Sequence, residues 1–263
     1  MKLSIVIPAR NEEGCIAETL LTLIATVESA SIPAEMIVVN DGSTDGTAVR
    51  VYRLSASHPI IRLVENEGRH GFGMAVRTGL QYITGDAVAI VMADGSDNPA
   101  DVVAYYRKLQ EGYDCVFGSR FIRGAKVLDY PLHKLVLNRF ANWFIRTIFG
   151  LRFNDTTNAF KCYRREVIEG IQPLISPHFN LTVEMPLKSI VRGYSYAVVP
   201  ICWTNRKTGF SKLKIKEMGS RYLFIVMYIW LEKMLARGDY HRRHNTSSET
   251  TAAAPQLTSK QKF

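Results

Sequence analysis

The sequence predicts an α/β protein built on a mostly parallel sheet. Short apolar runs of strand length alternate with stretches of helical periodicity through the first two thirds of the chain. Each run ends in turn-forming residues. The chain has 263 residues, 47% of them hydrophobic and 22% charged, which is enough to bury one large core.

The first run, LSIVIPA, reads as a strand halted by Pro8, and Ile16, Leu20, Leu23, Ile24 and Val27 follow at helical spacing. EMIVVN is a second strand, and the turn DGSTDGT offers Asp45 as a cap for the next helix. IIRLVE is a third strand, GMAVRTGLQYI a helix, AVAIVMA a fourth strand, and PADVVAYYRKLQ a helix with Pro99 in its first turn. DCVFGSR is a fifth strand. Strands separated by helices of this length need crossover connections, hence the parallel sheet.

After Phe121 the pattern changes. Residues 122–131 read as a mobile loop, Leu132 to Phe149 as an amphipathic helix, and NDTTNAFKCY as polar and then strand-like. LTVEMPLKSIV is a helix, YSYAVVPICW another strand, and TNRKTGFSKLKIK a basic loop. Ser220 to Leu235 is an apolar helix whose unbroken core, Tyr222 to Leu231, has ten residues. A bilayer span needs about 20, so this helix is either docked on its own domain or interfacial. The expected division is a catalytic domain over 1–215, a helix over 216–240, and a polar, disordered tail over 241–263.

The net charge of +9 is unevenly spread. Residues 1–205 hold 21 basic and 20 acidic groups, and 206–243 hold 10 and 3. Such a concentration points to phosphate, an anionic membrane surface or nucleic acid. Nucleic acid is not expected: the basic loop is short, and the aromatics beyond it belong to an apolar helix rather than a stacking groove. The four cysteines lack metal-ligand spacing, and the apolar stretch before Pro8 is too short for a signal peptide. Reduced thiols in a cytosolic protein are the expectation.

Ligands of an open parallel sheet bind beyond the carboxyl ends of its strands. Asn11 and Glu12, Asp41, and Asp94 with Asp97 follow three such ends. Carboxylates there suit a hard cation such as Mg²⁺ or Mn²⁺ that also holds substrate phosphates. No Walker loop is present, and the glycine-rich NEGRHGFGMAV reads as a loop meeting a helix N-terminus.

IVIPARNEE, VVNDGSTDGT, MADGSDNP and FGSRF come in the order and spacing of glycosyltransferase family 2, whose catalytic domain is the Rossmann-like GT-A fold. The later segments LNRFANWFIRTIFGLRFNDTTNAFKCYRREVI and VPICWTNRKTGFSKLK resemble dolichol-phosphate mannose synthases and related polyprenyl-phosphate hexose synthases. The resemblance implies metal-assisted, inverting transfer of a hexose from a nucleotide sugar to a polyprenyl phosphate. It further implies a protein peripheral at the cytoplasmic face of an anionic membrane. Carried over by position, Pro8, Arg10, Glu12, Val39, Asp41, Ala93 and Asp94 bind the donor nucleotide. Asp94 is the second aspartate of the DxD signature and a metal ligand, and Ser96 and Asp97 complete the expected metal set. Arg120 and Arg206 steady the leaving diphosphate, and Arg139, Arg206, Ser211 and Lys212 hold the acceptor phosphate.

One position departs from the pattern. The first aspartate of DxD is Met92, and a thioether is a poor ligand for a hard cation. Metal affinity is then expected to arise mainly with the donor diphosphate, unless Asp97 compensates. A degenerate sugar-nucleotide-binding protein is the non-enzyme alternative. A phosphate acceptor is already a nucleophile, which agrees with the lack of a recognisable His–carboxylate pair in the sequence. A saccharide hydroxyl acceptor would instead need a base, with Glu184 or Asp155 the candidates.

Overall fold

A computed structural model of the chain describes residues 1–205 and 215–242. In chain order its strands are β1 (Leu3–Ala9), β2 (Ala34–Asn40), β3 (Ile61–Glu65), β4 (Ala87–Ile90), β5 (Cys115–Ser119), β6 (Lys126–Leu128), β7 (Lys161–Arg164), β8 (Tyr196–Pro200) and β9 (Cys202–Thr204). The helices are α1 (Ile16–Ser29), α2 (Thr47–Ser57), α3 (Phe72–Leu80), α4 (Pro99–Gln110), α5 (Leu132–Phe149), α6 (Arg165–Gly170), α7 (Leu181–Val191) and α8 (Ile215–Leu235). Seven strands form one sheet in the order β3-β2-β1-β4-β7-β5-β8, with β7 antiparallel to both its neighbours and the other pairings parallel.

Every residue of β1 is buried, as befits a strand covered on both faces. Alternation then divides the core. Leu3, Ile5 and Ile7 join Met36, Val38, Ala87 and Ala89 beneath α1 and α4. Val6, Ile37, Val39, Val88 and Ile90 face α3 and α7 on the other side. A third cluster ties Ile145 and Phe149 of α5 to Val183 and Leu187 of α7 and to Ile225, Val226 and Ile229 of α8.

Helix α7 carries Pro186 in its interior. Proline has no N–H, so the carbonyl one turn earlier, Thr182, lacks its helical donor. The buried Lys161 ammonium of β7 supplies the missing bond at 3.1 Å, and also donates to the carbonyls of Thr156 and Asn158. Burial pulls this amine down to about 7.

Several expectations change. The stretch 122–131 is not all loop, because β6 pairs with β9 in a small parallel ladder. Three-residue strands are too short to show a period. The fourth strand ends at Ile90 rather than Ala93, since the Met92 amide turns to the Asp97 carboxylate, 3.0 Å away. The last strand breaks into β8 and β9, and the final helix begins at Ile215. Gly46 rather than Asp45 takes the N-cap position of α2, and Asp45, one residue before it, accepts from the Thr47 amide at 3.0 Å.

Helix α8 is docked along one face and exposed along the other. Ile225, Val226 and Ile229 are buried, whereas Phe224 is 62% and Leu235 72% exposed. Arg192, the residue just past α7, grips Glu232 with Nε at 2.8 Å, and Arg242 beyond α8 reaches Asp114 at 2.8 Å. Among the described residues no helix is long and apolar enough to cross a membrane. The basic stretch 206–214 and the tail from His244 lie outside the described residues.

Candidate functional site

The parallel strands bring their carboxyl ends to one edge, where a cavity of about 1250 Å³ opens. The end of β1 contributes Pro8, Arg10 and Glu12, and Asp41 follows β2. The turn after β4 brings Met92, Asp94, Ser96 and Asp97, and Arg120 follows β5. Parallel pairing places these residues together although they span more than a hundred positions in sequence.

Asp41 is engaged through both of its carboxylate oxygens. Its Oδ1 accepts from the Asn66 amide at 2.7 Å and faces His70 Nδ1 at 3.2 Å. Its Oδ2 accepts from the Gly71 N–H at 2.9 Å and lies 3.9 Å from Arg10. The glycine-rich segment is therefore the second half of the Asp41 environment, not a plain loop. A β-carbon at Gly73 would meet the Ser176 carbonyl at 2.2 Å, so only glycine lets α3 start against the 176–178 turn. His70 and Asp41 also form a His–carboxylate pair invisible in the sequence, because parallel pairing of β2 with β3 brings the loops after them together across 29 residues.

The Asp94 loop has a definite shape. Asp94 Oδ1 accepts from the Ser96 amide at 3.1 Å, and Thr204 of β9 donates to the Ser96 carbonyl at 3.1 Å. Asp97 is turned inward to cap the backbone of Met92. Burial, reinforced by the neighbouring Asp94 charge, raises its carboxyl to about 7. Its reach toward a cation is limited by that commitment, and no cluster of three or more His, Cys, Asp or Glu suited to a metal occurs among the described residues. The donor set therefore fits an ion held by one firm carboxylate, Asp94, and completed by ligand phosphates.

Arg120 is held from behind. Its Nε and backbone N–H donate to Asp155 Oδ2 at 2.8 and 2.9 Å, and its Nη2 donates to Oδ1 at 2.7 Å. Burial works against the guanidinium charge, but the Asp155 carboxylate outweighs it and raises the pKa above the usual arginine range. Phe121, Tyr130 and Trp203 surround the cation at 5.4–5.6 Å from their ring centroids.

The far half of the cavity is apolar and comes from helices outside the sheet. Leu137, Phe140, Ala141 and Phe144 of α5 line it together with Leu223 and Val226 of α8 and with Phe179, which is stacked on Phe72 at 4.5 Å. Lys134, Asn138, Tyr222 and Arg221 add polar groups to the same wall. Asn138 and Asn142 bind Thr157, which pins α5 to the 155–158 segment.

Some residues expected at the site lie elsewhere. The Val39 side chain is fully buried beneath α3, because strand alternation turns it away from the cavity. Ala93 is in the opposite core, its carbonyl accepting from Thr19. Arg139 is exposed on α5 over the Phe121 ring at 4.6 Å, off the cavity wall. Asn11 braces the turn at Thr44 instead of facing the cavity. Arg206, Ser211 and Lys212 lie outside the described residues. Glu184 is sealed by two amides and by Lys188 at 2.7 Å, so neither it nor Asp155 faces the cavity as a base. On α8, Tyr222 and Ile225 belong to the docked side rather than an outer face.

Sequence reading missed His70, Lys134, Asn138, Tyr130, Trp203 and Phe179. The spacing of Lys134, Leu137, Asn138 and Ala141 on one helical face was the available signal.

Residues 4–171 match the family model described as Glycosyl transferase family 2. The chain is 31% identical over 215 residues to the polyprenol monophosphomannose synthase of Mycolicibacterium smegmatis, covering 80% of each chain. It is 30% identical over 229 residues to a dolichol-phosphate mannosyltransferase of Pyrococcus furiosus, covering 83% of this chain but only 61% of that longer protein. The structure of Mycobacterium tuberculosis glucosyl-3-phosphoglycerate synthase with Mn²⁺, UDP-glucose and phosphoglyceric acid superposes with a TM-score of 0.65. The sequences are 20% identical there, covering 88% of this chain and 79% of that one. A second structure of that enzyme, with Mg²⁺ and UDP, gives 0.64 at 21% identity and the same coverage. These likenesses show a shared GT-A fold.

Proposed function

The chain belongs to glycosyl transferase family 2, and from that premise we propose that it transfers a hexose from a nucleotide diphosphate sugar to a polyprenyl phosphate at an anionic membrane surface. One observation carries the reading. A single cavity joins an acidic strand-end site around Asp41 and Asp94 to an apolar trough between α5 and α8, with Arg120 on its wall. The relatives named for polyprenol and dolichol phosphate point the same way.

In this reading Pro8, Arg10, Glu12 and Asp41 hold the nucleotide. Asp94 would hold Mg²⁺ or Mn²⁺ together with the donor diphosphate, and the ion would supply positive charge against the negative charge that grows on the leaving group. Arg120 adds fixed positive charge for the same purpose. The acceptor phosphate carries about −1.5 to −2 charge near neutral pH, so its oxygen attacks the anomeric carbon without a protein base. The bond between that carbon and the donor phosphate breaks, and the nucleoside diphosphate departs with the electron pair. Lys134 and Arg221 on the wall, with Arg206 and Lys212 beyond the described residues, orient the acceptor.

Residues 1–215 serve as the catalytic unit, and α8 with α5 forms its membrane-facing side. The outer residues Phe140, Trp143 and Phe224 are 60%, 59% and 62% exposed, too apolar for an ordinary solvated face. The neighbouring basic stretch favours anionic lipid, each basic residue near such a surface contributing about 1 kcal/mol.

The test is transfer by purified protein from a panel of radiolabelled nucleotide sugars to detergent-dispersed polyprenyl phosphate, with Mn²⁺, Mg²⁺ or a chelator. Labelled polyprenyl-phosphate hexose in the metal-containing reactions is the expected product. Donor binding without transfer from any sugar would replace this reading with that of a sugar-nucleotide-binding protein.

A further inference from the structure

Arg120 is presented to the cavity by a carboxylate that never reaches the cavity itself. Asp155 is fully buried, accepts three hydrogen bonds from Arg120, and is absent from the cavity wall that Arg120 lines. A guanidinium is a planar fork. With its Nε–Nη2 edge fixed on Asp155, its other edge is aimed away by trigonal geometry alone. The backbone N–H bond of Arg120 to the same carboxylate fixes the main chain as well as the side chain. The rings of Phe121, Tyr130 and Trp203 close around the guanidinium, 5.4–5.6 Å from its central carbon.

The neighbours of Asp155 also belong to the cavity. Thr157 and Asn158 line it, and Thr156 and Thr157 are tied to Asn142 of α5. The 155–158 segment therefore sets two things at once, the direction of the Arg120 fork and the position of the apolar helix α5.

We infer that Asp155 is a positioning residue for transfer: it holds the Arg120 guanidinium in one orientation, ready for phosphate oxygens. The inference rests on the reading that Arg120 meets phosphate. A mobile arginine would have to be ordered during each turnover, whereas a clamped one contributes charge already in place. A purely structural ion pair would stabilise the fold and leave turnover alone.

The experiment is a double-mutant cycle with Asp155→Asn, Arg120→Lys and the pair. For each protein kcat and KM are measured with the donor that the wild type uses best, alongside thermal melting. Mn²⁺-supported binding of uridine and guanosine diphosphates is followed by calorimetry. Asp155→Asn is expected to lower kcat roughly 10- to 100-fold with KM changed less than threefold. The double variant should match Arg120→Lys within threefold, because Asp155 acts through Arg120. Multiplying losses, or a melted-down but catalytically normal Asp155→Asn, would overturn the inference. If Asp155→Asn does not fold, Asp155→Glu takes its place, keeping the charge while shifting the fork by one methylene. Lowered kcat then supports the clamp, and unchanged kcat overturns it.

The wild type separates the two claims. Wild-type transfer to polyprenyl phosphate upholds the proposed function whatever the cycle shows. Its failure defeats that function, and the clamp is then decided by nucleoside diphosphate binding in the same cycle. Non-additive weakening supports it, and binding unaffected by Asp155→Asn overturns it.

Discussion

Replacing Asp94 by asparagine separates charge from shape at the proposed metal ligand. Asp94 Oδ1 accepts from the Ser96 amide at 3.1 Å, and the asparagine oxygen preserves that bond. The Asp94 charge also helps to push the Asp97 carboxyl up to about 7, after the larger effect of burial, so its removal relieves a repulsion. Folding stability is therefore expected to stay within about 0.5 kcal/mol of wild type or to rise slightly. Turnover is another matter. By the scale of losing one preorganised electrostatic contact to a transition state, kcat should fall about 100- to 1000-fold, or roughly 2.7–4 kcal/mol. The assay is the initial transfer rate across a Mn²⁺ titration, with thermal melting in parallel. A variant transferring within threefold of wild type, at an unchanged Mn²⁺ requirement, would refute the ligand assignment.

Met92→Asp places a third carboxylate beside Asp94 and Asp97, so without metal its melting temperature should fall by a few degrees, and Mn²⁺ should restore it; calorimetric titration should show tighter Mn²⁺ binding in the absence of donor. Phe140→Ser with Phe224→Ser removes two exposed aromatics, so melting should hold while flotation on anionic vesicles drops about 10-fold or more. Lys161→Met strands the carbonyls of Thr156, Asn158 and Thr182 and should cost about 2–5 kcal/mol in urea unfolding. Glu35 has a folded pKa near 2, below its unfolded value of 4.5: burial opposes the charge, but hydrogen bonds from Ser4, Thr84 and Lys2 outweigh it. It therefore stabilises the fold above pH 4.5 and loses that contribution as pH falls toward 2, so Glu35→Gln and wild type should differ at pH 7 and converge near pH 2.

The sheet was legible because its strands are buried on both faces. An unbroken apolar run such as that of β1 has few other uses in a chain with this alternation. Helices α4 and α5 were legible to the residue, α4 through Pro99 in its first turn and α5 through its long amphipathic stripe. What escaped depends on long-range pairing. No local pattern in KCYR says that β7 enters the sheet antiparallel between β4 and β5. The β6–β9 ladder joins residues some 76 apart through three-residue strands. At the site, acids at strand ends were visible as a class, but not the direction of each side chain. Both Asp94 and Asp97 line the cavity, but Asp97 commits an oxygen to the Met92 backbone whereas Asp94 bonds the Ser96 amide within its own turn, and spacing alone treats them alike.

The placement of the two apolar helices bears on how a water-soluble donor meets a lipid acceptor. Arg10 and His70, at the end proposed to hold the nucleotide, have side chains 44% exposed, so that mouth opens to water. The opposite end is walled by α5 and α8, whose outer faces are apolar. Helix α8 does not hang from the catalytic body, since buried ion pairing between Arg192 and Glu232 joins it to α7, and Lys233 donates to the Phe149 carbonyl of α5 at 2.9 Å. Attachment of these helices to a surface would therefore orient the whole sheet, strand ends included, because no hinge separates the described part of α8 from α7. A polyprenyl phosphate then needs to lift only its headgroup into the trough. On the proposed function, the donor would enter from the aqueous mouth and meet the acceptor phosphate beside Arg120.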